Sequence, residues 1–201
     1  FLSLIATWLY VCGCAVLMAA AATNEPADTE LQDAASMTLS DDILDSIVIV
    51  RGKQGAGTGF IARQGSNVYL FSNIHVFMGN TGLSFANNRG TQFKPLALEA
   101  ANDRDLVRVT IANAPAQALA IAEPRGINQP VIVCGNAEGE EVMRQMEGVL
   151  LGVGPTKVET SAKFVKGHSG SPILTTNGVV LGIATYVKRG NSNWVTTNTP
   201  F

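Results

Sequence analysis

From Ser46 onward the chain is written in short apolar runs broken by turn residues, and this rhythm constrains the fold more than any other feature. Ile47-Val48-Ile49-Val50 is a β-branched run. The glycine loop Gly55-Ala56-Gly57-Thr58-Gly59 passes into Phe60-Ile61-Ala62, and Gly65-Ser66-Asn67 turns into Val68-Tyr69-Leu70-Phe71-Ser72. Further runs cover 93–98, 106–111, 131–134, 142–151, 156–161, 173–175, 179–187 and 194–197. Short β-rich runs at roughly 8–12-residue spacing, with turn signals between them, predict an all-β barrel or sandwich. No useful helical period follows residue 46, apart from a turn at His75–Met78. A second helical turn is predicted just ahead of the strands, where Ser40 stands as an N-cap before Asp41-Asp42-Ile43-Leu44-Asp45. The stretch from Pro115 to Pro130 divides the runs into two groups, which predicts two lobes over 46–114 and 130–201.

Composition narrows the partners. With 46% hydrophobic and 15% charged residues and 20 glycines, the chain fits a turn-rich globular protein. Net charge is −2 and no Lys/Arg block occurs, which argues against nucleic-acid binding. Cys12, Cys14 and Cys134 have no zinc-site spacing with the two histidines, so neither a metal nor another cofactor is implied.

Residues 1–22 carry no charge and would reach about 33 Å as a helix, at about 1.5 Å per residue. Ala20-Ala21-Ala22 before Thr23 makes a small-residue cleavage site, so a secretory signal peptide is expected, with a secreted or periplasmic product. An uncleaved membrane anchor is the competing reading. The basic start of a signal is missing, as if the segment began part-way. Val11-Cys12-Gly13-Cys14 is a poor lipoprotein box because the apolar run continues past it. Residues 23–45 are small, polar and acidic, a linker.

Lys166-Gly167-His168-Ser169-Gly170-Ser171-Pro172 puts a serine on a tight turn ahead of buried strands. By itself this is an ordinary Gly/Ser turn; with a base nearby it is a nucleophile loop. Only His75 and His168 are available as imidazoles. His168 adjoins Ser169, and neighbouring side chains diverge, so the base for Ser169 has to be His75. A third group must orient the imidazole and stabilise its cation. Asp103 and Asp105 are the candidates, and Asp105 abuts the apolar alternation of Leu106, Val107 and Val109. Asp105 is therefore the expected partner and Asp103 the solvated flank.

The order His75, Asp105, Ser169 discriminates among unrelated folds with this chemistry. An α/β-hydrolase needs its histidine after the serine, and none follows Ser169. A subtilisin-like order needs an aspartate ahead of the histidine, which Asp41, Asp42 or Asp45 supplies, but also a helix-rich parallel sheet. A cysteine nucleophile at Cys134 is weaker, because it ends the apolar run Val131-Ile132-Val133.

At this point the chain resembles the trypsin-like serine peptidases, especially the bacterial HtrA-like branch, over roughly residues 46–190. The residues that carry the likeness are Gly57-Thr58-Gly59-Phe60-Ile61, Tyr69-Leu70-Phe71-Ser72-Asn73-Ile74-His75-Val76, Asp105-Leu106-Val107-Arg108-Val109, Val133-Cys134-Gly135-Asn136 and Gly167–Pro172. The resemblance implies two six-stranded antiparallel β-barrels with a triad in the cleft between them, protein or peptide substrates, and a turn at Val133–Asn136. It implies an oxyanion hole from the backbone N–H groups of Gly167 and Ser169. It also implies substrate pairing along Ile183-Ala184-Thr185-Tyr186 by strand addition. Lys163 falls near the family's first specificity pocket, where it would favour an acidic side chain or simply face solvent. No PDZ-like domain follows the peptidase-like region. His168 stands where the family usually has Asp or Asn, and a cation there would act on the pH profile. A non-catalytic module that binds extended peptides is the alternative function.

Overall fold

The computed structural model describes residues 38–115, 117–187 and 193–197. The expected signal or anchor segment over 1–22, and most of the linker behind it, lie outside the described residues. The described chain opens with helix α1 (Asp41–Asp45), whose first turn is acidic as the helix dipole favours. Ser40 precedes it in an extended conformation, and its carbonyl accepts from the Ile43 and Leu44 N–H groups.

Six strands follow: β1 (Ile47–Arg51), β2 (Ala56–Gln64), β3 (Asn67–Ser72), β4 (Ser84–Asn87), β5 (Pro95–Ala100) and β6 (Val107–Ile111). A short helix, α2 (Ile74–Phe77), is set between β3 and β4. The strands form one antiparallel sheet in the order β4-β1-β2-β3-β6-β5, which curls around its own core. Strand β6 shows why. Val107, Val109 and Ile111 are buried while Arg108 and Thr110 are only half-buried, the two-residue period of a sheet covered on one face. The edge strand β5 is exposed along its whole length.

The second group comprises β7 (Pro130–Ala137), β8 (Val142–Val153), β9 (Lys157–Thr160), β10 (Pro172–Leu174), β11 (Val180–Val187) and β12 (Asn193–Thr197). These close into a barrel in the order β10-β11-β12-β9-β8-β7, sealed by the β7–β10 pairing. The two six-stranded antiparallel sheets are the double-barrel architecture that the resemblance implies.

One local reading is corrected. Val133-Cys134-Gly135-Asn136 is not a turn but the buried interior of β7, in unbroken register with β8 from Pro130 opposite Val149 to Ala137 opposite Val142. Ladder pairing overrides the turn chemistry of Gly and Asn.

The segment between β6 and β7 joins the lobes physically as well as in sequence. Arg63 N–H donates to the Leu119 carbonyl at 2.9 Å, and Leu119 N–H to Ile61 at 3.0 Å. A few residues on, Val180 N–H donates to Ala120 at 2.8 Å and Ala122 N–H to Val180 at 3.0 Å. A core cluster containing Phe60, Phe71 and Leu106 from the first lobe and Ile132, Cys134 and Ile183 from the second runs between them. The faces that hold the site are thus fixed by a shared apolar core.

Candidate active site

Strand β3 ends at Ser72, and Asn73 turns the chain into α2, which carries His75. Asn73 is fully buried, and its amide donates to the Asp105 carbonyl at 2.7 Å and to Thr185 Oγ1 at 3.0 Å. It ties the histidine turn to the start of β6 and to β11. Asp105 lies just ahead of β6, anchored by the buried Leu106 beside it. Its Oδ1 accepts the His75 backbone N–H at 3.0 Å, and its Oδ2 lies 2.5 Å from His75 Nδ1.

The Asp105 side chain is 16% exposed and that of His75 45%. Burial pushes the Asp105 carboxyl upward, but hydrogen bonds from the His75 ring, the His75 backbone and the Ile74 backbone outweigh it and hold the group below its ordinary value. An ionised carboxylate only accepts, so Nδ1 carries the proton and Nε2 of the neutral ring is left as an acceptor. Asp103 is exposed and pairs with its neighbour Arg104, whose hydrogen bond lowers its pKa. It makes no hydrogen bond or ion pair with His75.

The loop that carries Ser169 runs between β9 and β10. The Lys166 carbonyl accepts from Glu138 N–H at 2.7 Å, the Gly167 carbonyl from Thr58 Oγ1 at 2.8 Å, and the His168 carbonyl from Ser171 N–H at 2.8 Å. A trans peptide points its N–H opposite its C=O. Pinning the Lys166 and His168 carbonyls therefore fixes the directions of the Gly167 and Ser169 N–H groups. Among the described residues neither N–H has a partner. Gly167 has φ +95°, and a Cβ there would stand 2.2 Å from the Asn136 carbonyl oxygen. Gly170 has φ +85°, and a Cβ would stand 2.0 Å from the Thr58 carbonyl oxygen. Only glycine fits either position.

Ser169 and His75 line one cleft of about 250 Å³. No hydrogen bond joins Ser169 Oγ to the ring in this structure. Nucleophile–base contacts are often loose without substrate.

The sequence record of relatives fits this geometry. The trypsin-like peptidase domain model matches residues 57–183. The chain belongs to the trypsin-like peptidase family. No curated protein matches it. Among solved structures, it is similar to the Rv3671c protease from M. tuberculosis in its active form, with TM-score 0.68 and 19% identity over 78% of this chain and 77% of that one. The inactive form of the same protease gives TM-score 0.66 and 21% identity over 78% and 85%. A serine endoprotease from Yersinia pestis gives TM-score 0.67 and 22% identity over 77% and 59%. At these identities the likeness is one of fold.

Other expected site residues of this trypsin-like peptidase fare unevenly. Lys163 is exposed and does not line the His75–Ser169 cleft. Ile183 and Ala184 are buried and paired on both edges: Ile183 lies opposite Pro172 and Thr196, and Ala184 opposite Val195. Ala184 also exchanges backbone bonds with Ser171 and Gly170. With both edges already paired, neither has a free edge for an added strand. The Thr185 hydroxyl is engaged by Asn73 and by the Ile183 carbonyl at 3.3 Å.

His168 does not place a cation beside Ser169. It is fully buried, its ring packs 6.4 Å from that of Phe164, and its Nδ1 accepts from Val165 N–H at 3.4 Å. Desolvation lowers its pKa, so it is a neutral part of the loop's scaffold. Cys134 is buried as well, with its thiol pushed up to about 12 by desolvation, which rules it out as a nucleophile. Among the described residues no cluster of three His, Cys, Asp or Glu is arranged to hold a metal.

Two supporting residues went unassigned in the sequence. Thr58 and Asn73 sit inside the quoted motifs, but their roles come from contacts with distant residues.

Proposed function

We propose that the protein is a serine endopeptidase acting through His75, Asp105 and Ser169. Ser169 Oγ attacks the scissile carbonyl while His75 Nε2 takes its proton. The Gly167 and Ser169 N–H groups receive the developing oxyanion, each such donor typically contributing ~3 kcal/mol. His75 then protonates the leaving amine, and an acyl-enzyme on Ser169 remains. Water, deprotonated by the same imidazole, attacks that ester and regenerates the serine. Asp105 holds the tautomer and balances the imidazolium charge.

The observation that carries this reading is the double acceptance of His75 by Asp105, at the ring and at the backbone N–H, in the cleft that Ser169 lines. The missing Ser169–His75 hydrogen bond favours the second reading, a non-catalytic peptide-binding module. A fluorophosphonate probe on the purified chain separates them. The peptidase reading expects labelling that Ser169→Ala abolishes and His75→Ala reduces by several orders of magnitude. Equal, background labelling of all three leaves the non-catalytic reading. The uncharged residues 1–22 and their alanine-rich end support export of the chain. Sequencing the N-terminus of the cell-produced protein distinguishes cleavage near Ala22 from retention as an anchor.

A further inference from the structure

In the cleft beside Ser169, away from His75 and the Gly167–Ser169 backbone, much of the polar lining is spent on bonds within the protein. Asn80 donates through Nδ2 to the Gly55 carbonyl at 3.1 Å and the Val76 carbonyl at 3.2 Å, while its Oδ1 accepts Gln54 N–H at 3.0 Å. The Gln54 amide is engaged by Thr81, donating to Oγ1 at 3.3 Å and accepting its N–H at 2.8 Å. These bonds brace the turn between β1 and β2 against the residues that follow His75. Asn80 keeps no amide N–H for a ligand, and Gln54 keeps one.

Lys166 is different. Its carbonyl is fixed by Glu138 N–H, so its backbone is held, yet its exposed side chain lines the cleft and its ammonium has no ion pair or hydrogen bond among the described residues. No Asp or Glu lines the cleft. The acids of the β7–β8 turn are Glu138 and Glu140, neither of which makes an ion pair with Lys166, and Glu141, which is paired with Arg51.

The side of the substrate that meets this lysine follows from the chemistry. The leaving amine takes its proton from His75, so the departing half of the peptide runs over the residues beyond His75. Val76, Met78 and Asn80 line the cleft there, with Gln54 to Ala56 from the β1–β2 turn. We infer that Lys166 selects substrates carrying a carboxylate on the leaving-group side, within the first two residues after the scissile bond. This rests on the peptidase reading above and adds a substrate class to it. The carboxylate belongs either to an Asp or Glu side chain or to the free C-terminus of a short leaving group.

The test uses the full chain on synthetic peptides with a randomised centre, made with either a free or an amidated C-terminus, and with cut positions read by mass spectrometry. An exposed charge pair predicts roughly 2–5-fold enrichment of Asp and Glu over Gln, shrinking in high salt. Enrichment in both peptide sets identifies the side-chain carboxylate. Cuts confined to one or two residues from a free C-terminus identify the terminal one. Lys166→Ala should flatten the preference, and Lys166→Glu should replace it with Lys and Arg. Cleavage with no acidic preference, or a preference unchanged in Lys166→Glu with an unaltered melting temperature, overturns the inference and leaves the peptidase reading intact. Absence of both cleavage and fluorophosphonate labelling in the wild type overturns the two together.

Discussion

Thr58 gives the sharpest test of how the two lobes build the site. It is fully buried in β2, in the first lobe, and its Oγ1 makes two bonds into the second. It donates to the Gly167 carbonyl at 2.8 Å and accepts Asn136 N–H at 3.0 Å. Thr58→Val keeps the shape and removes both bonds. An orphaned buried backbone group costs about 1–3 kcal/mol. Gly167 borders the cleft, so its carbonyl should fall near the low end. Asn136 is fully buried in β7, so its N–H should cost more. The sum is about 3 kcal/mol, or about 6–12 °C in melting temperature for a domain of this size. Thr58→Ser keeps both bonds and loses one methyl, which costs about 1 kcal/mol, or about 2–4 °C. The expected order by calorimetry is Thr, then Ser, then Val. Hydrophobicity alone would rank Val at or above Thr. A Val variant melting within 2 °C of wild type, or above the Ser variant, refutes the claim that these bonds hold the loop. The Val variant should also react more slowly with fluorophosphonate well below its melting point, because the Gly167 carbonyl is released.

Further outcomes follow from the same geometry. Asp105→Asn presents an amide where a carboxylate accepts twice, which drives the ring proton onto Nε2; kcat should fall about 10³–10⁴-fold, and a loss under tenfold contradicts the assigned tautomer. Because the Asp105 carboxyl is held below its ordinary value in the fold, its contribution to stability is complete above the unfolded value near 4 and is lost as pH falls through the folded value. Denaturant titrations of wild type and Asp105→Asn should therefore converge in acid, and a gap that widens in acid rejects this. Cys134 should escape maleimide in the native protein at pH 8 and react after unfolding, since its thiol is buried and raised to about 12. Peptide-level mass spectrometry reads that directly. Gly167→Ala would place a methyl 2.2 Å from the Asn136 oxygen, so the loop should shift and fluorophosphonate labelling drop about 10²-fold or more; an unchanged rate would show that the loop tolerates a side chain there.

How much of this was legible in the residues depended on whether the signal was local. Strands with a two-residue period, such as β6, and β-branched runs, such as β1, announce themselves. Strand β4 does not: Ser84-Phe85-Ala86-Asn87 has one large apolar residue, and its pairing with β1 makes it a strand. His75 was legible because histidine is scarce in this chain, and Asp105 because apolar neighbours bury its flank. Thr58 and Asn73 are common residue types whose roles arise from partners 109 and 112 residues away, respectively. Lys163 and Lys166 differ only in which way an irregular segment turns its side chains, and no periodicity fixes that.

The loop around Ser169 shows where a motif's information stops. Its glycines permit the backbone path, and the path alone does not set the directions of the Gly167 and Ser169 N–H groups. That direction comes from Glu138 in the β7–β8 turn, which holds the Lys166 carbonyl, and from Ser171 inside the loop, which holds the His168 carbonyl, while Thr58 in the other lobe holds the Gly167 carbonyl between them. His168 belongs to the same scaffold. Its side chain diverges from that of Ser169, as neighbours on a tight turn must, and so it enters the second barrel against Phe164 as a neutral ring. The residue that departs most from the family's usual loop thus acts through packing beneath the Gly167–Ser169 backbone rather than through charge beside it.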